Sequence, residues 1–128
     1  MIESESGEMK IDDVKADTLE IMIYFLYHDK VFDEKMINAD LLILAERYNV
    51  RPLTAVCVEY LGENLSVENA LDVLVSANLT NKKALFDVAT QFVFENRGNL
   101  VKTDAWKELS ENDPILIGKI MIAMLKLE

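Results

Sequence analysis

Thiolate and imidazole metal ligands and loop formers are scarce here: 128 residues include one Cys, one His, four Gly and two Pro. A single thiol, Cys57, excludes a disulfide framework and a multi-thiolate zinc site. A lone imidazole, His28, excludes most histidine-based metal centres. So little Gly and Pro does not describe a flexible linker or a low-complexity chain. Long apolar runs are missing as well: Ile115-Leu116-Ile117 is followed by Gly118-Lys119, whereas a spanning helix needs roughly 20 apolar residues. The start, Met1-Ile2-Glu3-Ser4-Glu5-Ser6, is acidic and holds no apolar signal-peptide core. Basic character is lacking too. Against 13 Lys and Arg stand 23 Asp and Glu, a net charge of -10. Such a chain repels phosphates, so neither nucleic acid nor an anionic membrane is expected as a partner. An unpaired thiol without a secretory signal fits a reducing compartment, and a soluble intracellular protein is expected.

What is present is apolar and helical. Hydrophobic residues make up 51% of the chain, enough for one domain with a real core, so disorder is excluded. The acidity is uneven: residues 1 to 34 hold ten acidic and three basic side chains, and residues 35 to 128 hold thirteen and ten. The N-terminal end therefore carries -7 and the rest -3. That end either steers a basic partner or is a solvated face. The one strand signal is the alternation Met9-Lys10-Ile11-Asp12. A lone strand needs a pairing partner, and no other segment offers one, which points to a fragment of a larger sheet.

Everything after it reads as helix, so the expected fold class is all-α: antiparallel helical pairs with one short residual strand near the N-terminus. Leu19, Met22, Ile23 and Leu26 recur at i, i+3, i+4 and i+7, with Asp17 and Glu20 as a capping pair. Leu41, Leu44, Ala45 and Tyr48 form the next stripe, then Leu53, Val56, Cys57, Tyr60 and Leu61 after Pro52. Ser66 suits the N-cap of a helix striped by Val67, Ala70, Leu71, Leu74 and Val75. Asn81 is placed as the next N-cap, before Leu85, Val88, Ala89, Phe92 and Val93, and Gly98 as the left-handed residue past that helix. Thr103 and the pair Asp113-Pro114 open the last two helices, the final stripe being Ile117, Ile120, Met121, Met124 and Leu125. These are about seven helices at unequal spacing, which disfavours a regular repeat.

Catalytic chemistry is not in view. The sequence has neither a phosphate-binding Gly-rich loop nor a Gly-x-Ser-x-Gly elbow. Cys57 lies on an apolar stripe, where a thiol acts as a small core side chain. His28 has no nucleophile to activate. Asp12-Asp13 lacks the further oxygen ligands a calcium ion takes. No enzyme, metal or cofactor is expected.

Several segments in order resemble the BTB/POZ family. Met9 to Val14 and the helix ending Tyr24-Phe25-Leu26-Tyr27 resemble that domain's last strand and the helix after it. Asp40-Leu41-Leu42, Ala45 to Tyr48 and Leu53 to Leu61 resemble its closing helical pair. Leu65 to Ala70 and Ala77-Asn78-Leu79 resemble the 3-box of the speckle-type POZ (MATH–BTB) group. The remainder, with Trp106-Lys107 and Asp113-Pro114, resembles that group's short BACK region. The resemblance implies residues 1 to 64 as the C-terminal part of a BTB/POZ domain and 65 to 128 as a 3-box and BACK-like region. It implies a non-catalytic adaptor of the nucleus or cytoplasm that binds a cullin-3-type scaffold of a ubiquitin ligase, with substrate recruited by an upstream domain. Met1 and Glu3 match the family's hydrophobic-x-Glu docking motif, and Tyr48 and Asn49 would flank it. Tyr48 equally completes an inward stripe. Met121 falls where relatives carry a self-association aromatic. His28-Asp29 replaces the Thr-Gly common in relatives, so that loop is expected to differ. Apolar surface around Leu19, Met22, Ile23 and Leu26 is expected to drive a salt-strengthened oligomer, with Met121 a weaker second contact. The alternative is a BTB/POZ self-association module of a transcriptional regulator without a ligase.

Overall fold

The computed structural model describes residues 15–128. The strand expected at Met9 to Asp12 lies outside the described residues. Among them the regular structure is helical, as the periodicity requires. In chain order come α1 (Ala16–His28), a 3-10 turn (Glu34–Met36), α2 (Ala39–Arg47), α3 (Arg51–Glu63), α4 (Ala70–Leu79), α5 (Lys83–Glu95), α6 (Arg97–Leu100), α7 (Asp104–Asn112) and α8 (Pro114–Leu125). The chain divides into two compact units, Met1–Cys57 and Val58–Glu128, with the division inside α3.

In the first unit α1 packs on α2. The face α1 turns inward is Thr18, Ile21, Met22 and Phe25, one lane away from the expected stripe. Leu19 is only half-buried, and Ile23 and Leu26 are exposed. The reason lies in the run Ile21 to Tyr27, whose seven side chains are all apolar or aromatic. Periodicity cannot choose between two adjacent lanes that are both hydrophobic. No side chain caps α1; Lys15 holds the N-cap position, and Asp17 lies in the first turn. Asp29 ends α1 in the left-handed conformation, φ 59°, and its N–H donates to the Phe25 carbonyl at 2.7 Å. An Asp here takes the backbone shape usually left to Gly. Asn38, not singled out from the sequence, caps α2: its Oδ1 accepts from the Leu41 N–H at 2.9 Å. Leu41, Leu42, Leu44 and Ala45 are then buried.

In the second unit α5 is the central element, packed by α4, α6 and α8, while α7 rests on α8. Val73, Leu74, Ala77, Ala89, Val93 and Ile120 are almost entirely removed from solvent. Burying a side chain such as Leu74 stabilises the fold by about 1.5–3 kcal/mol. Small residues among them, Ala77 and Ala89, leave room for close approach. Ser66 and Asn69 cap each other before α4: the Ser66 N–H donates to Asn69 Oδ1 at 2.9 Å, and the Asn69 N–H to Ser66 Oγ at 3.3 Å. Thr103 and Asp113 cap α7 and α8 as expected, accepting from the Trp106 and Leu116 N–H groups at 3.2 and 3.1 Å.

Two punctuation residues act differently from expectation. Asn81 does not open α5; it closes α4 with φ 57°. The Lys82 N–H donates to the Ala77 carbonyl at 2.9 Å and the Asn81 N–H to Asn78 at 3.4 Å, the paired bonds of a Schellman end. Gly98 lies inside α6 rather than past a helix end, and its φ is not positive. Asn96 ends α5, its Nδ2 donating back to the Phe92 carbonyl at 2.9 Å.

Candidate functional site

The chemistry of the described residues is that of surfaces. Cys57 is fully buried, and desolvation pushes its thiol up to about 12, so it stays protonated and unreactive at neutral pH. Among the described residues no group of three His, Cys, Asp or Glu is placed to hold a metal ion. No described helix is long and apolar enough to cross a membrane.

Exposed apolar side chains of the first unit gather on α1 and the segment after it. Ile23, Leu26, Tyr27, Phe32 and Met36 are exposed, Tyr27 by 83% and Phe32 by 74%. Tyr24 sits between two rings: His28 lies over it at a centroid distance of 4.1 Å, and Phe32 meets it edge-on at 5.6 Å. Stacking of this kind holds the rings in one geometry without burying them. The surface differs in part from the one expected. Ile23 and Leu26 do face solvent, but Met22 is buried. Tyr27 and Phe32 were not identified from periodicity. For Tyr27 the signal was the width of the apolar run, which exceeds what one buried face can absorb; Phe32 lies beyond that run and carried no such signal.

The turn from α2 to α3 presents the two interior candidates. Tyr48 is 49% exposed, so it leaves the inward stripe that Leu41, Leu44 and Ala45 follow. It does so because α2 ends there: the Tyr48 N–H still bonds the Leu44 carbonyl at 3.0 Å, but the next residue turns left-handed. Asn49, φ 58°, makes that turn, with the Val50 N–H reaching the Ala45 carbonyl at 2.9 Å. The Arg51 Nε donates to Asn49 Oδ1 at 3.4 Å. Tyr48 and Asn49 are thus neighbours on one exposed turn. Met1 and Glu3 lie outside the described residues. In the second unit Met121 is 48% exposed on α8, near Ile122 and Leu125, which are also exposed.

Exposed rings and aliphatic side chains such as Tyr27, Phe32 and Ile122 are surface of the kind that meets other proteins. Residues 1–65 match the BTB/POZ domain, and the chain belongs to the BTB/POZ family. Such a domain is a protein-interaction and self-association module. A BTB/POZ domain-containing protein of Arabidopsis thaliana is 37% identical over 125 residues, covering 98% of this chain and 51% of that protein. The Caenorhabditis elegans protein maternal effect lethal 26 is 29% identical, over 92% of this chain and 30% of its own length. BTB and MATH domain-containing protein 40, also of Caenorhabditis elegans, is 23% identical over 98% of this chain and 32% of its own length. The chain therefore spans between about a third and about half of the length of these relatives.

Proposed function

We propose that the chain is a substrate-adaptor piece of a cullin-3-type E3 ubiquitin ligase, acting by binding alone and working in the nucleus or cytoplasm. Residues after the BTB/POZ match would be a 3-box and BACK region like that of speckle-type POZ protein. A relative whose name pairs BTB with MATH supports an upstream substrate-recruiting domain of that kind. Met1 would insert in an apolar groove of the scaffold and Glu3 would fix its loop. Tyr48 and Asn49 would extend the docking surface, and Met121 would contribute to self-association. The observation that carries the reading is the exposure of Tyr48, a large side chain at 49% on a stripe otherwise buried. Aromatic side chains displayed in this way are common anchors of protein interfaces.

The experiment is calorimetric titration of the purified N-terminal region of a cullin-3 scaffold. Met1→Asp and Tyr48→Ala are each expected to weaken binding about tenfold or more, since that factor corresponds to roughly 1.4 kcal/mol of lost contact. Helicity should be unchanged in both. Unchanged affinity in either variant removes that residue from the site. Absence of scaffold binding with self-association retained favours the other reading, a BTB/POZ module of a transcriptional regulator.

A further inference from the structure

Within residues 58–128, the end of α4, one side of α5 and the last turns of α8 enclose a half-open cavity of about 660 Å³. Pockets of about 300–1,000 Å³ accommodate small ligands or anchoring side chains. Its apolar lining includes Phe86, Ile122 and Leu127, the last two well exposed. Its charged lining is Lys83, Lys119 and Lys126 against Asp87 alone, three positive charges and one negative, in a chain of net charge -10. Lys83 is matched, with Nζ 3.2 Å from Asp87. Lys119 is held by neutral groups: its Nζ donates to Asn78 Oδ1 at 2.8 Å and stands 5.7 Å from the centre of the Phe86 ring. Those contacts orient the ammonium without cancelling its charge. Lys126 has no side-chain hydrogen bond or ion pair among the described residues. Thr90 also lines the cavity; it is 2% exposed and its hydroxyl has no hydrogen-bond partner among the described residues.

We propose that this cavity docks an acidic amphipathic segment of a partner protein. One apolar side chain of that segment would seat on Phe86, Ile122 and Leu127, and its carboxylates would face Lys119 and Lys126. The occupant follows from charge. A basic segment would be drawn to the acidic remainder of the chain but repelled at this rim, whereas an acidic one finds its complement only where positive charge collects. A long polyanion such as nucleic acid meets the repulsion of the whole chain, which a short segment with few carboxylates largely escapes. The cavity shares no residue with those assigned to scaffold docking, so the two readings are tested by different variants.

Fluorescence anisotropy on the full chain tests it. The probes are a fluorescein-labelled peptide of Leu and Glu at helical spacing and the same peptide with every Glu replaced by Lys. The Glu peptide is expected to bind at least tenfold more tightly than the Lys peptide, and to weaken as salt is raised. Lys119→Glu combined with Lys126→Glu should weaken it at least tenfold, and Ile122→Asp, at a side chain 60% exposed, should do the same without unfolding the chain. Lys102→Glu combined with Lys107→Glu makes the same change in net charge away from the cavity and should leave affinity within twofold. Equal binding of the two peptides overturns the proposal, as does equal loss in the control pair. Sedimentation with anionic vesicles in place of peptide binding also overturns it.

Discussion

Residues 15–57 display Tyr27, Phe32 and Tyr48 to solvent, whereas residues 58–128 expose no aromatic ring. In the second unit Trp106 and Phe86 are buried, and Tyr60, Phe92 and Phe94 are half-buried. Its exposed apolar side chains are aliphatic or Met, with Ile115, Met121, Ile122 and Leu125 all on α8. Both units are helical and both bury a continuous core, so helix content does not separate them. What separates them is where the rings go. A ring supplies large rigid contact area at low entropic cost, which makes an exposed one more useful to a partner than an exposed Leu. The first unit is therefore the one that offers aromatic side chains to a partner, and the proposed scaffold-docking turn lies in it. The second uses its rings to hold five short helices together.

The largest test of that contrast is stability. Leu74→Ala, at a side chain wholly buried in the second unit, is expected to lose about 2.7–5 kcal/mol through lost burial and the cavity left behind. Tyr27→Ala, 83% exposed in the first unit, should change stability by less than about 0.5 kcal/mol. Urea unfolding midpoints measure both. A Tyr27→Ala loss close to that of Leu74→Ala would mean the ring is packed in solution and the contrast between the units is wrong.

A smaller effect comes from Cys57, at the end of the first unit. Burial raises its thiol to about 12, so the folded chain keeps the proton that an unfolded chain releases above its ordinary value of 9.0. Between those values the unfolded state binds fewer protons, and stability falls as pH rises. At pH 10 the loss from this thiol is about 1.4 kcal/mol, and it is absent below pH 8. Tyr and Lys side chains titrate in the same range, so the comparison is with Cys57→Ala, measured by thermal unfolding at pH 8 and pH 10. The stability difference between the two chains should narrow toward high pH. A constant difference would show that the thiol is solvated.

How much of this was legible in the residues depends on which signal carried each part. The stripes read true in part: Leu53, Cys57 and Leu61 are buried as their spacing requires, and so are Ala70, Leu71 and Leu74, whereas Val88, Met121 and Leu125, placed on the same kind of stripe, are exposed. Caps with one geometric reading, Thr103 and Asp113, were found. The inward lane of α1 was misread because both lanes are apolar. Asn81 was misread because Asn suits a helix start and a left-handed helix end equally. Tyr48 stood open between core and surface. Its spacing gave one answer and the helix end gave the other, and the backbone turn at Asn49 is what takes it out to solvent.

Asn49 and Asn81 supply the finest comparison, because the two units end α2 and α4 with the same device. Their φ values are 58° and 57°, and both are followed by a residue whose N–H reaches back five positions, from Val50 to Ala45 and from Lys82 to Ala77, each at 2.9 Å. An L side chain in this conformation crowds the following carbonyl; Asn tolerates it through local hydrogen bonding and Gly avoids it altogether. Replacement by Ala keeps the crowding and removes the relief, so Asn49→Ala and Asn81→Ala should each cost about 1 kcal/mol. Replacement by Gly exchanges that strain against greater freedom of the unfolded chain, and the net change should stay within about 0.5 kcal/mol. Denaturant unfolding of the four variants checks this. The stability effects should match between units because they are local to the backbone. Scaffold affinity should not match: Asn49→Gly deletes a side chain from the proposed docking turn, whereas Asn81→Gly lies outside it. Affinity lost in both variants, or in neither, would detach the first unit's turn from docking while leaving the account of the helix ends intact.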